Sequence, residues 1–259
     1  QIKSETFGIE ANEICVDYNG TVALYDASLK LKSGSICGLV GMNGAGKSTF
    51  FKTLMGFIRP SRGTISINGL AVSKAQRAQL VAYVPQNEGI DCSFPVSVWD
   101  VVMMGRYGSM KILRIPRESD KQAVWHALER VELLELRKRP IGALSGGQRK
   151  RAFLARAIAQ RASVLLLDEP FSGVDVRTEK LMSQLFLQFR QEGRTILIST
   201  HDLGHVRDFC DLVVLINKTV LAYGKTSEIF TDENLSKTFG GMPPNILSGP
   251  TTSEGFLNE

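Results

Sequence analysis

The sequence predicts an α/β protein built on a largely parallel sheet, with antiparallel β structure at its N-terminal end and a helical insertion in its middle. Three observations carry this. Residues 35–40, 163–167 and 195–199 are short apolar runs, with the length and composition of strands covered on both faces. Segments with apolar residues at helical spacing alternate with these runs, as in a parallel sheet joined by crossover helices. Between about residues 88 and 160 the strand signal fades and helical periodicity takes over.

Each element has its own signal. Ile14, Val16 and Tyr18 alternate toward Asn19-Gly20, residues that accept the positive φ of a tight hairpin, and Val22, Leu24 and 27–32 return. Residues 35–40 feed a glycine-rich turn and an amphipathic segment over 47–57. In the middle, Ala123, Val124, Ala127, Leu128, Val131 and Leu134 form an apolar stripe behind Ser119, the expected N-cap. Phe153, Leu154, Ala157 and Ile158 mark a second helix there, and Leu181, Met182, Leu185, Phe186 and Phe189 a helix between the last two apolar runs. Residues 212–216 and 220–223 read as a closing hairpin. One domain is expected over 1–240, with the insertion near 88–160, and 241–259, rich in Gly, Pro, Ser and Thr, as a flexible tail.

Composition bounds the function classes. With 43% hydrophobic residues in 259, the chain can bury a sizeable core, which excludes wholesale disorder. A net charge of +5 suits an anionic ligand or surface without selecting one. No apolar run reaches the roughly 20 residues of a membrane span. Residues 1–5 are polar apart from Ile2, so no secretory signal is expected. Cys15, Cys37, Cys92 and Cys210 are scattered without metal-ligand spacing and are expected as buried thiols in a reducing, cytoplasmic setting.

The chemistry begins at Gly41-Met42-Asn43-Gly44-Ala45-Gly46-Lys47-Ser48, which fits G-x4-G-K-S/T between a strand and a helix. The glycines let successive N–H groups turn inward around phosphate oxygens, and the helix that follows adds its positive end. Lys47 is placed to neutralise β- and γ-phosphates and Ser48 to ligate Mg²⁺. Farther on, an apolar strand ends in Asp168-Glu169, a carboxylate pair suited to holding Mg²⁺ and polarising an attacking water. Leu144-Ser145-Gly146-Gly147-Gln148 offers a second anion-recognising helix start. Lys150 and Arg151, which follow, are expected as solvated helix charges.

LSGGQ about twenty residues ahead of LLLDEP, with the phosphate loop far upstream, resembles the ATP-binding-cassette (ABC) family of ATPases over roughly residues 7–240. That resemblance implies a P-loop NTPase (RecA-like) core with an N-terminal antiparallel β subdomain and an inserted helical signature subdomain. It implies ATP and Mg²⁺ as ligands, bound by Gly41, Asn43, Gly44, Ala45, Gly46, Lys47, Ser48 and Thr49. Tyr18, 29 residues before Lys47, would stack on adenine. Gln86 in Val84-Pro85-Gln86 would sense Mg²⁺ beside Ser48 and Asp168. Glu169, His201, Gln86 and Lys47 would carry catalysis, with His201 as the switch histidine, while His126 and His205 are read as structural or surface residues. Ser145, Gly146, Gly147 and Gln148 would act in trans, and Asp175 in the loop that crosses the dimer interface, so a homodimer is expected. Ser172-Gly173-Val174-Asp175 departs from the commoner Ser-Ala-Leu-Asp of the family but keeps the aspartate.

The stretches FPVSVWDVVMMGRYG and DEPFSGVDVRTE are similar to the metal-importer branch. The implied role is the ATPase subunit of a manganese, zinc or chelated-iron importer, at the cytoplasmic face of the membrane. Its partners would be integral-membrane permease subunits and, indirectly, an extracytoplasmic metal-binding protein. The permease would dock near Gln86 and residues 93–107, which include Trp99, Met103 and Met104. Siderophore or haem import, and a soluble cassette ATPase acting on nucleic acid or ribosomes, are the alternatives. Nucleic acid is not expected as a partner, because the chain has one cassette and no sustained heptads.

Overall fold

The computed structural model describes residues 6–86, 95–110 and 114–241. The chain runs β1 (Phe7–Tyr18), β2 (Thr21–Lys32), β3 (Ile36–Val40), α1 (Lys47–Leu54), β4 (Arg62–Ile67), β5 (Leu70–Ala71), α2 (Val72–Arg77) and β6 (Val81–Val84). It continues through α3 (Val98–Met104), α4 (Glu118–Arg130), α5 (Gly146–Gln160), β7 (Val164–Asp168), α6 (Val176–Gln191), β8 (Thr195–Thr200) and α7 (Leu203–Phe209). β9 (Leu212–Asn217), β10 (Thr219–Lys225), α8 (Thr226–Ile229) and α9 (Asp232–Thr238) close it.

Two sheets form. An antiparallel one has the order β2-β1-β4-β5, and Asn19 and Gly20 make its first turn with φ of 50° and 85°. The second has the order β10-β9-β3-β8-β7-β6, parallel from β9 to β6, with β10 antiparallel at one edge. Its central strands are buried at every position because layers cover both faces. Alternation then divides their side chains. Ile36, Val40, Leu165 and Leu167 join one apolar core; Cys37, Leu39, Val164 and Leu166 join the other, which packs on the antiparallel sheet.

This topology positions the site. The neighbouring strands β3, β8, β7 and β6 run the same way and end level, with Val40 opposite Thr200, Ser199 opposite Asp168, and Leu167 opposite Val84. The segments leaving them carry residues 41–48, 201–202, 168–169 and 85–86, and so meet at one edge.

α3, α4 and α5 lie between β6 and β7 and pack together. A buried ion pair holds them. Arg106 Nε donates to Asp120 Oδ1 at 3.0 Å, and its Nη1 donates to the Ala159 carbonyl at 2.9 Å. Burial raises the Asp120 pKa, but the Arg117 N–H and the Arg106 guanidinium outweigh it and hold the carboxyl below its usual range.

Several expectations are corrected. The helix after the phosphate loop stops at Leu54, and Gly56 at φ 70° turns the chain. Ser119 is not a cap: α4 starts one residue earlier, with Asp120 accepting from the N–H of Arg117. Leu134 falls in a separate 3-10 turn beyond that helix. Cys37 and Cys210 are buried, and burial pushes the Cys210 thiol up to about 12, but Cys15 is only partly covered. Cys92, Ser93, residues 88–94 of the insertion and 242–259 of the expected tail lie outside the described residues.

Candidate active site

Val40 ends β3, and the chain turns through residues 41–46 into α1. Two glycines there are obligatory. A Cβ on Gly41 would stand 2.3 Å from the Ile216 carbonyl oxygen. Gly46 has φ 95°, and its Cβ would stand 2.7 Å from Leu24 Cδ2 and 2.9 Å from the Ala23 carbonyl oxygen. Ala45 turns inward and is buried, while its carbonyl accepts from the Lys218 N–H at 2.8 Å, tying the loop to the β9–β10 turn. Lys47 Nζ donates to the carbonyls of Gly41 at 2.6 Å and Met42 at 3.1 Å. Burial pulls its ammonium below the usual range, against the opposing charges of Glu169 and Asp168.

Apart from Ala45, the loop residues line a cavity of about 700 Å³. Gly41, Asn43, Gly44, Gly46, Lys47, Ser48 and Thr49 form one side, and Gln86, Asp168, Glu169 and His201 reach it from the other strand ends. Asp168 Oδ2 accepts from the Tyr83 hydroxyl at 3.1 Å, and Oδ1 accepts from the Ser199 hydroxyl. Glu169 is buried at φ 49°; its N–H donates to Ser199, and its Oε2 lies 2.9 Å from His201 Nδ1. Lys150 is not a solvated helix charge: its Nζ donates to the carbonyls of Glu169, at 3.2 Å, and Ser172. Arg151 is also covered, donating to the Val131 carbonyl at 2.8 Å.

The remaining expected residues stand apart from the cavity lining. Ser145 caps α5, accepting from the Gln148 N–H at 3.2 Å while Gln148 Oε1 accepts from the Ser145 N–H at 3.0 Å. The N–H groups of Gly146 and Gly147 thus belong to a helix start. A Cβ on Gly147 would lie 3.1 Å from Thr178 Oγ1 and 3.2 Å from Asp175 Oδ2. Asp175 caps α6 by accepting from the N–H and hydroxyl of Thr178, and these bonds lower its pKa. Tyr18 is 46% exposed at the end of β1. Sequence reading missed Tyr83 and Ser199 on the strands, Lys150 on α5, and Phe239, which lines the cavity from just beyond α9.

The donor set fits a magnesium nucleotide. Backbone N–H groups at a helix start suit phosphate, and the hydroxyl, amide and carboxylate oxygens of Ser48, Gln86 and Asp168 are hard ligands of the kind Mg²⁺ takes. Among the described residues, no three His, Cys, Asp or Glu side chains gather into a further metal site.

The profile of the family described as ABC transporter matches residues 24–172, more than half of the chain. This chain belongs to the ABC transporter family. It is an ABC-type ATPase, and its antiparallel β layer, parallel sheet and inserted helices are those of the ABC ATPase fold. The manganese transport system ATP-binding protein MntA of Synechocystis sp. is 57% identical over 91% of this chain and 91% of its own. The chelated iron transport system membrane protein YfeB of Yersinia pestis is 55% identical over 92% of this chain and 81% of its own. A solved structure described as a metal-chelate type ABC transporter in an inward-facing conformation superposes with a TM-score of 0.80 at 31% identity. That match covers 90% of this ABC ATPase and 89% of the solved chain.

Proposed function

We propose that this chain is the ATP-hydrolysing subunit of an importer for manganese, zinc or chelated iron, working as a homodimer on separate permease subunits at the cytoplasmic face of the membrane. The observation that carries the ATPase part is the convergence of residues 41–44 and 46–49, Gln86, Asp168, Glu169 and His201 on one cavity. The relatives named for manganese and chelated-iron transport support the cargo class. No helix among the described residues is long and apolar enough to cross a membrane. Trp99 borders a cavity of about 480 Å³ on the helical insertion, and Met104, five residues on, is exposed while Met103 is buried, which supports permease docking through Trp99 and Met104.

In this reading the loop N–H groups and Lys47 hold the β- and γ-phosphates, and Tyr18 stacks on adenine. Ser48, Gln86 and Asp168 hold Mg²⁺, which when bound neutralises phosphate charge. Glu169 takes a proton from the attacking water, and His201, 2.9 Å from it, keeps the carboxylate aimed at the γ-phosphate. Ser145, Gly146, Gly147 and Gln148 face the nucleotide of the other subunit, with Asp175 beside them. Their position outside the cavity lining of their own chain supports action across a dimer.

The test is Glu169→Gln in the purified subunit. ATP should still bind, turnover should fall by at least about a hundredfold, and light scattering should find a dimer with ATP present. Normal turnover would remove Glu169 from the chemistry.

A further inference from the structure

The Glu169–His201 contact joins two loops, one leaving β7 and one leaving β8. Behind that contact lies a second histidine. His205 Nδ1 stands 3.0 Å from Asp202 Oδ2, and its Nε2 stands 2.9 Å from Glu179 Oε1. Its ring stacks on Phe171, with centroids 4.9 Å apart and planes 20° apart. Phe171 also touches Phe186 of α6 and Phe209 of α7. One imidazole therefore grips three pieces of the machinery. Phe171 follows Glu169 by two residues, Asp202 directly follows His201, and Glu179 lies in the first turn of α6, which Asp175 caps.

We propose that His205 is a positioning residue for ATP hydrolysis, tying the loop of His201 to the loop and helix that follow Glu169 and so preserving the contact between them. The proposal rests on reading Glu169 and His201 as the hydrolytic pair. Two carboxylates face the ring, so both nitrogens donate only when the imidazole is a cation; the neutral ring leaves one lone pair against an oxygen. The charged groups acting on it are Asp202, from the cap of its own helix, and Glu179, from α6; the elements behind the ring contribute Phe171, Phe186 and Phe209. Burial pulls its pKa down, but the bond to Asp202 and the two carboxylate charges outweigh it, and the net shift is upward. With that sign, both bonds are present below the ordinary histidine range, and one is lost as pH rises through the raised value.

The experiment compares the wild-type subunit with His205→Phe, His205→Gln and Glu169→Gln, reading kcat and KM for ATP from about pH 6 to about pH 9, with thermal melting. His205→Phe keeps a ring on Phe171 but loses both nitrogens. Its kcat should fall about tenfold with KM within about twofold, and the alkaline decline of wild type should be absent. His205→Gln, which keeps one donor, should lie between them with an equally flat profile, and it stands in if the phenylalanine variant does not fold. Unchanged kcat with the wild-type pH limb overturns the proposal. So does a loss of kcat that leaves that limb in place, since that would mark a purely structural contact. Should Glu169→Gln hydrolyse ATP normally, the reading of the pair fails; if it is inert while both His205 variants match wild type, the His205 proposal alone fails.

Discussion

Asp168 and Glu169 are adjacent in sequence, yet they are held in different ways. Asp168 ends β7 and receives hydrogen bonds from hydroxyls on both flanking strands, Tyr83 of β6 and Ser199 of β8. Glu169 has left the strand at positive φ, with its backbone fixed by Ser199 and Lys150 and its carboxylate turned to His201. In the proposed function the first serves as a fixed ligand and the second as an aimed base. Burial and the neighbouring Asp168 push the Tyr83 hydroxyl pKa upward, so it remains a donor at physiological pH. Replacing Tyr83 by Phe removes one bond to a charged group and should cost about 1.5–3 kcal/mol of stability. It should also alter the Mg²⁺ concentration for half-maximal hydrolysis by more than about twofold, because Asp168 gains freedom to turn. A melting curve and a Mg²⁺ titration check both, and no change in either would leave Tyr83 without a role at this ligand.

At the scale of elements, the helical insertion depends on a polar interior contact as well as on its apolar stripes. Arg106 joins the end of α3 to Asp120 of α4 and to the carbonyl of Ala159 in α5, so one guanidinium staples all three helices. Arg106→Met would leave a buried carboxylate without its cation and should destabilise the protein by about 3 kcal/mol. Denaturant unfolding should report that loss; a change within about 0.5 kcal/mol would mean that Asp120 is solvated in the folded protein. Ser119 was the readable cap signal here. Asp120, one residue on, instead satisfies the Arg117 N–H while its other oxygen takes Arg106, a double use visible only once α3 is packed alongside.

For the whole molecule, the arrangement of strands decides what a sequence can disclose. The parallel strands β3, β7 and β8 were legible because burial on both faces leaves an uninterrupted apolar run. β6 has four residues and β4 opens with Arg62-Gly63, so neither stood out, although β6 carries both Tyr83 and the approach to Gln86. The cavity-lining motifs could be read because their chemistry is local to each loop. Tyr83, Ser199 and Lys150 could not, since each bonds a partner far along the chain, Asp168 or Glu169, and Phe239 reaches the cavity from beyond α9. Ser145 presents the reverse case, legible as a motif but outside the cavity lining of its own chain. Ser145→Ala should therefore leave ATP affinity of the isolated subunit within about twofold while lowering turnover more than about tenfold, whereas Lys47→Ala should weaken binding itself. Equilibrium binding beside steady-state hydrolysis separates the two, and equal losses of affinity would contradict action across subunits.

The level ends of β3, β8, β7 and β6 also limit how this protein can be edited. Side chains along a strand alternate between faces, so deleting one residue from β7 would turn Asp168 away from the phosphate loop and exchange which core each leucine enters. Length changes are far safer at the β4–β5 turn, where Gly69 has open space around it and no cavity residue is attached. A tag or reporter spliced there should leave the catalytic groups in register, while a shift of a single codon inside any of the four strands should silence them together.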